Sequence, residues 1–169
     1  MGIIEPVATD APDARSLQTL GLLTRGALHE ISNPLVGLVG SAELALAEAE
    51  PGTKLYDRIA LTHRTGVEIA EIVRALQAFI RLQAEPEREL SVGAAAAGAI
   101  ALVSKVLSPH DNELRVHGDA TVVARPGEIQ RQLVELLVEG LRRAERGDTI
   151  ELEVRDGVVT ASGGGELHL

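Results

Sequence analysis

Apolar positions recur every three or four residues from about Asp13 to Glu50, the period of a helix with one buried face. Leu20, Ala27, Ile31, Leu35, Leu38, Ala42 and Ala45 form the expected stripe. Pro51-Gly52 stops this run, and a second one continues from Thr53 to Ala84. Its stripe is Leu55, Ile59, Thr62, Gly66, Ile69, Val73, Leu76 and Ile80, alternating fours and threes. Two long helices joined by so short a turn predict an antiparallel hairpin. A lone hairpin leaves much of its apolar surface open, so the pattern predicts a homodimer in which two hairpins build a four-helix bundle. The alternative is a stripe covered by the second half of the same chain.

The pattern changes at the charged break Glu85-Pro86-Glu87. The expected units are therefore a flexible leader over residues 1–12, the hairpin over 13–85 and a second unit over 86–169. In the second unit, Leu90 to Val92 reads as a short strand and Gly93 to Leu107 as an Ala-rich helix. Ser108 to Asn112 reads as a turn. Glu113 to His117 and Ala120 to Ala124 alternate like strands paired around Gly118-Asp119. Pro126 to Glu145 is amphipathic, with Pro126 placed for a first helical turn. Thr149 to Arg155 and Val158 to Ala161 read as a hairpin turning at Asp156-Gly157. The expected fold class is α+β: a helical hairpin followed by a small α/β sandwich, a sheet with helices on one face.

Composition narrows the chemistry. The chain has 169 residues, a net charge of −9, no cysteine and no tryptophan; Tyr56 and Phe79 are its aromatic residues. The core must be aliphatic. The acidic balance and the shortage of stacking rings argue against nucleic acid as a partner. Without cysteine there is no disulfide or thiolate metal site, and a reducing compartment is compatible. No apolar run approaches the ~20 residues of a membrane span, and the N-terminus lacks a signal-peptide pattern. A soluble cytoplasmic protein is expected. His63, His110, His117 and His168 are scattered without metal-ligand spacing. Gly163-Gly164-Gly165 lacks the following helix of a phosphate loop and reads as a flexible tail. Arg142, Arg143 and Arg146 close the last long helix, where they oppose its dipole.

The chemically informative run is His29-Glu30-Ile31-Ser32-Asn33-Pro34-Leu35. At about 100° per residue, His29 lies roughly 200° from Ala27 and Ile31, so it should face solvent. A neutral exposed imidazole beside a carboxylate is a candidate nucleophile with its own proton acceptor. Glu30 would accept a hydrogen bond from Nδ1–H and leave Nε2 to attack. Asn33 lies one turn on and shares the face; it reads equally as a surface amide. Pro34 removes a backbone donor and crowds the Glu30 carbonyl, which predicts a kink below His29.

This run resembles the H-box of the histidine kinase dimerisation and phosphotransfer domain, itself a hairpin that dimerises into a four-helix bundle. The resemblance covers about Ser16 to Ala84. The second half resembles a degenerate, shortened ATP-binding domain of the same kinases. Glu128 to Gly140 is similar to the helix on which that family presents asparagines to magnesium and phosphates, and Glu135 and Glu139 stand at those places. The strand before Gly163-Gly164-Gly165 carries no aspartate for adenine, and nothing after it matches an ATP lid. The combination resembles a histidine phosphotransferase of the ChpT type. That resemblance implies homodimers that pass phosphoryl between the aspartates of response-regulator receiver domains through phospho-His29. It also implies magnesium supplied by the receiver and no cofactor held by this chain. Ser32, Val36, Gly37 and Gly40 are small or apolar and would let a receiver helix approach, with Arg64, Val67, Glu68 and Glu71 expected nearby on the second helix. An ATP-using kinase and a non-catalytic adaptor that binds receivers remain alternatives.

Overall fold

The structure is a computed structural model that describes residues 14–107, 112–155, 157–162 and 165–169, with side chains from residue 19 onward. The expected leader, most of the turn at 108–112, Asp156, Gly163 and Gly164 lie outside the described residues.

Helices α1 (Ala14–Glu48) and α2 (Lys54–Leu82) form the hairpin. Between them Gly52 takes φ +83, a left-handed conformation that suits glycine. Thr53 caps α2: its Oγ1 accepts from the Tyr56 N–H at 3.2 Å. Helix α1 continues through Pro34. The seam differs from the expected stripe on α1. Leu28 and Ala42 are buried, whereas Leu20, Ile31 and Leu38 remain 60%, 47% and 46% exposed and Ala27 is exposed. One helix can cover only a narrow strip of another, and the apolar face of α1 is wider than that strip. On α2, Gly66 and Val73 are buried. A Cβ on Gly66 would meet Leu38 Cδ2 at 2.9 Å and Val39 Cγ2 at 3.0 Å, so this glycine lets the helices close together.

The second half runs β1 (Arg88–Ser91), α3 (Val92–Leu107), β2 (Glu113–His117), β3 (Thr121–Ala124), α4 (Pro126–Arg143), β4 (Thr149–Arg155), β5 (Val158–Ala161) and β6 (Glu166–His168). Four strands form a sheet in the order β2-β4-β5-β6, with β2 parallel to β4 and the other pairs antiparallel. Strand β4 alternates cleanly: Ile150, Leu152 and Val154 are buried and the residues between them are exposed. Helices α3 and α4 cover that inner face with Val92, Ala96, Ala99, Val103, Leu133 and Leu137. The core is aliphatic throughout, and the α+β class matches the expectation.

Two expectations are corrected here. Strands β2 and β3 do not pair with each other; β3 pairs antiparallel with β1, as Leu90 does with Val122. Gly118, at φ +81, sits so close to β4 that a Cβ would lie 2.2 Å from the Val154 carbonyl oxygen. Asp119 then turns its carboxylate to the start of α3, accepting from Gly93 N at 2.8 Å and Ser91 Oγ at 2.9 Å. These contacts carry the chain out of the sheet rather than back along it. Second, the expected glycine tail leads into β6, which pairs with β5 and turns Leu167 toward the core. An open β5 edge is a better place for this segment than water.

The hairpin packs tightly on the second half. A Cβ on Gly127, in the first turn of α4, would lie 2.5 Å from Gln83 Cα and 2.7 Å from the Leu82 carbonyl oxygen. Lys105 on α3 donates to the Glu71 carboxylate on α2. That contact holds the Glu71 carboxyl below the usual range, first through the hydrogen bond and then through the ammonium charge.

Candidate functional site

His29 is exposed, and it lines an open groove of about 640 Å³ at the end of the hairpin away from the Gly52 turn. Its position relative to the seam is not the one expected. Leu28, the preceding residue, is the buried one, so His29 stands about 100° from the seam, on its shoulder, rather than diametrically opposite. The imidazole is reachable from solvent and still has protein on one side.

Glu30 is exposed beside His29, and Asn33 is exposed one turn further along α1. His29 and Asn33 therefore share a face of α1, with Glu30 about 100° around the helix and no hydrogen bond or ion pair to His29 among the described residues. Ser32 is half-buried, while Val36 and Gly37 are exposed and Gly40 is half-buried. A Cβ at Gly37 or Gly40 would meet nothing within 4 Å, which leaves open surface beyond His29. Pro34 is exposed on α1 and leaves the Glu30 carbonyl without its usual helical donor.

Hairpin register decides what lies across from His29. Gln77 on α2 donates from Nε2 to the Leu28 carbonyl at 3.2 Å, and Gly66 meets Val39; the two pairs have the same spacing on both helices. Gln77 is therefore nearly level with His29, while Ile80 and Arg81 lie about one turn further toward the start of α1, level with Arg25 and Thr24; Gln77, Ile80 and Arg81 all line the same groove. Arg64, Val67 and Glu68 flank Gly66, near the level of Val39, and Glu71 pairs with Lys105 toward α3. The structure thus does not bring Arg64 beside His29. Arg25, four residues before His29, also lines the groove. Sequence reasoning missed Arg25, Gln77 and Arg81. Arg25 was legible from its i−4 spacing; the other two needed the register, to which Gly66 was the clue.

On α4, Glu135 pairs with Arg131 at 2.7 Å and Glu139 with Arg143 at 2.7 Å, with Arg142 at 3.7 Å. Both carboxylates are thus held by cations of their own helix. Gly165 closes on this helix, where a Cβ would meet Leu136 Cδ1 at 2.5 Å. Arg142 and Arg146 line a separate groove of about 620 Å³ with Val138 and Leu141. Among the described residues no group of three or more His, Asp or Glu side chains could hold a metal ion. No helix among them is long and apolar enough to cross a membrane.

No family model matches the chain. It is 28% identical over 145 residues to the sensor protein CzcS of Cupriavidus metallidurans, an overlap of 82% of this chain and 30% of that protein. The chain therefore spans under a third of the length of that relative. Among solved structures it is similar to full-length ShkA in complex with AMPPNP, at 18% identity and a TM-score of 0.48, covering 83% of this chain and 32% of that one. It is also similar to a bacterial phosphotransferase, at 16% identity and a TM-score of 0.49, covering 89% of this chain and 69% of that one. At these scores neither solved structure bears on function.

Proposed function

We propose that this chain is a histidine phosphotransfer protein of two-component signalling, of the ChpT type, acting as a homodimer on response-regulator receiver domains. The observation that carries the reading is the exposed His29 beside Glu30 on the shoulder of a helical hairpin, in the sequence frame of an H-box. The likeness to a sensor protein supports a role in two-component signalling. The exposed Leu20, Leu22, Leu23, Ile31 and Leu38 on α1, with Leu55, Leu61 and Ile69 on α2, support dimerisation, because patches of that kind mark protein interfaces.

In the forward step the Nε2 lone pair of neutral His29 attacks the phosphorus of a receiver's aspartyl phosphate. The bond from phosphorus to the aspartyl oxygen breaks, and its electron pair stays on the carboxylate. The positive charge that develops on the ring is met by Glu30 through Nδ1–H. Magnesium would be held by the receiver's acidic pocket, where it would supply neutralisation of the phosphoryl oxygens. A second receiver takes the phosphoryl by the reverse chemistry. Asn33, exposed one turn beyond His29, would order a water or a partner side chain over the phosphoryl. Glu135 and Glu139 put anionic carboxylates where the resembled family presents asparagines, and these would repel a triphosphate, which supports a relay in preference to a kinase.

The test is label transfer from a phosphorylated receiver to the wild-type chain and to His29→Gln side by side. Label on the wild type alone supports the reading. Label taken directly from ATP would identify a kinase instead, and receiver binding without transfer in both proteins would identify an adaptor.

A further inference from the structure

The groove beside His29 is locally positive in a chain of net charge −9. Arg25 and Arg81 line it from opposite helices, both about one turn from His29 toward the start of α1, and there is no carboxylate among the residues that line it. Arg25 stands one turn before His29, with Cβ atoms about 5–6 Å apart in such a pair. Arg81 stands one turn beyond Gln77, whose amide reaches the Leu28 carbonyl. Neither guanidinium has an acidic partner among the described residues, whereas Arg131 and Arg143 on α4 each hold a glutamate at 2.7 Å. Two guanidiniums facing one groove without an acid repel each other. A dianionic tetrahedral group between them removes that repulsion and presents the oxygens that planar N–H forks match.

We infer that Arg25 and Arg81 clamp the phosphoryl group on His29 from two sides, an inference that rests on His29 being the phosphorylated residue. The clamp gives this chain a preference of its own. It stabilises the phosphohistidine relative to the aspartyl phosphate of a receiver and moves the transfer equilibrium toward His29. It also favours the dianion of the bound phosphoryl group, so the group loses its last proton at lower pH than in a free phosphohistidine.

The full chain, treated with phosphoramidate, tests this without any receiver. The phosphorus–nitrogen bond of the reagent breaks, ammonia leaves with the electron pair, and the bond from His29 Nε2 to phosphorus forms. Phosphorus NMR then follows the titration of the phosphoryl group and its hydrolysis in wild type, Arg25→Gln, Arg81→Gln and Arg25→Lys, with His29→Gln identifying the signal. In the glutamine variants the titration midpoint is expected to rise by about half a pH unit, and the phosphohistidine lifetime to fall several-fold. Arg25→Lys, which keeps the charge and loses the fork, should fall in between. Unchanged midpoints and lifetimes in both glutamine variants, with circular dichroism matching wild type, would overturn the clamp and leave the phosphotransfer reading standing. A wild type that forms no phosphohistidine at position 29 overturns that reading, and the clamp with it.

Discussion

The side-chain amide of Gln77 donates to the backbone carbonyl of Leu28 at 3.2 Å, which ties α2 to α1 one residue before His29. The contact crosses the hairpin and is partly buried. Two residues further along α1, Pro34 leaves the carbonyl of Glu30 without its helical donor. The amide from the facing helix thus braces α1 two residues before the carbonyl that Pro34 leaves open. Gln77→Leu keeps volume and helix propensity but removes the donor. It is expected to lower unfolding free energy by about 1 kcal/mol and to speed amide hydrogen exchange around Ser32. Denaturant titration and exchange mass spectrometry measure both, and unchanged exchange would show that the tether is idle.

Asp119 is the residue that diverts the chain from β2 toward β3. The Gly93 N–H and the Ser91 hydroxyl, and to a lesser degree the Ala120 N–H, donate to it and hold its carboxyl below the ordinary range. A carboxyl with a depressed folded-state pKa contributes stability at pH values above its unfolded pKa, about 3.9. It loses that contribution as pH falls through the folded value. Asp119→Ala should lower the melting temperature by a few degrees at neutral pH. The gap between variant and wild type should narrow below about pH 4. A gap that stays constant from neutral to acidic pH would mean that the charge contributes nothing.

How much of this was legible in the sequence follows from how local each signal is. The two hairpin helices, α4 and the β4–β5 turn carry periods and stop signals within a few residues, and Arg155 does pair with Val158 across the Asp156-Gly157 turn. Partner choice is not local. Alternation at Glu113 to His117 and Ala120 to Ala124 marks strands but cannot say which neighbour each takes, and nearness in sequence suggested the wrong pairing. Strand β6 has a single inward residue, Leu167, too little pattern to register. His29, Glu30 and Asn33 were readable because they sit on one helix. Arg81 and Gln77 were not, because their place beside His29 depends on a register set by a tertiary contact at Gly66.

Gly127 fixes the joint between hairpin and α/β half. Its missing side chain lets the first turn of α4 rest on backbone atoms of Leu82 and Gln83, atoms that cannot swing aside as a side-chain tip would. Gly127→Ala is therefore expected to cost about 2–3 kcal/mol, despite alanine's better helix propensity. Gly37→Ala, with nothing within 4 Å of its Cβ, is the control and should be neutral or stabilising by up to ~1 kcal/mol. Chemical denaturation of the pair separates packing from propensity. Equal stabilities would mean that the joint yields without loss.

The apolar face left open on the hairpin makes the sharpest prediction about assembly. Ile31 and Leu38 are seven residues apart on α1, hence on one face, and each is nearly half exposed. Ile69, also 43% exposed, lies one turn from the Gly66 contact on α2. A second hairpin laid on this face would bury all three along one seam, each gaining on the order of 1 kcal/mol per protomer. Light scattering should then give twice the 17.8 kDa chain mass. Leu38→Glu places one carboxylate per protomer in that seam, and because the dimer carries the change twice it should dissociate at micromolar concentration. The isolated variant should remain folded, since Leu38 is 46% exposed and its in-chain packing is against Gly66, at the edge of the hairpin seam. A wild type that scatters as a single chain at high micromolar concentration would show that some other partner, or water, covers this face.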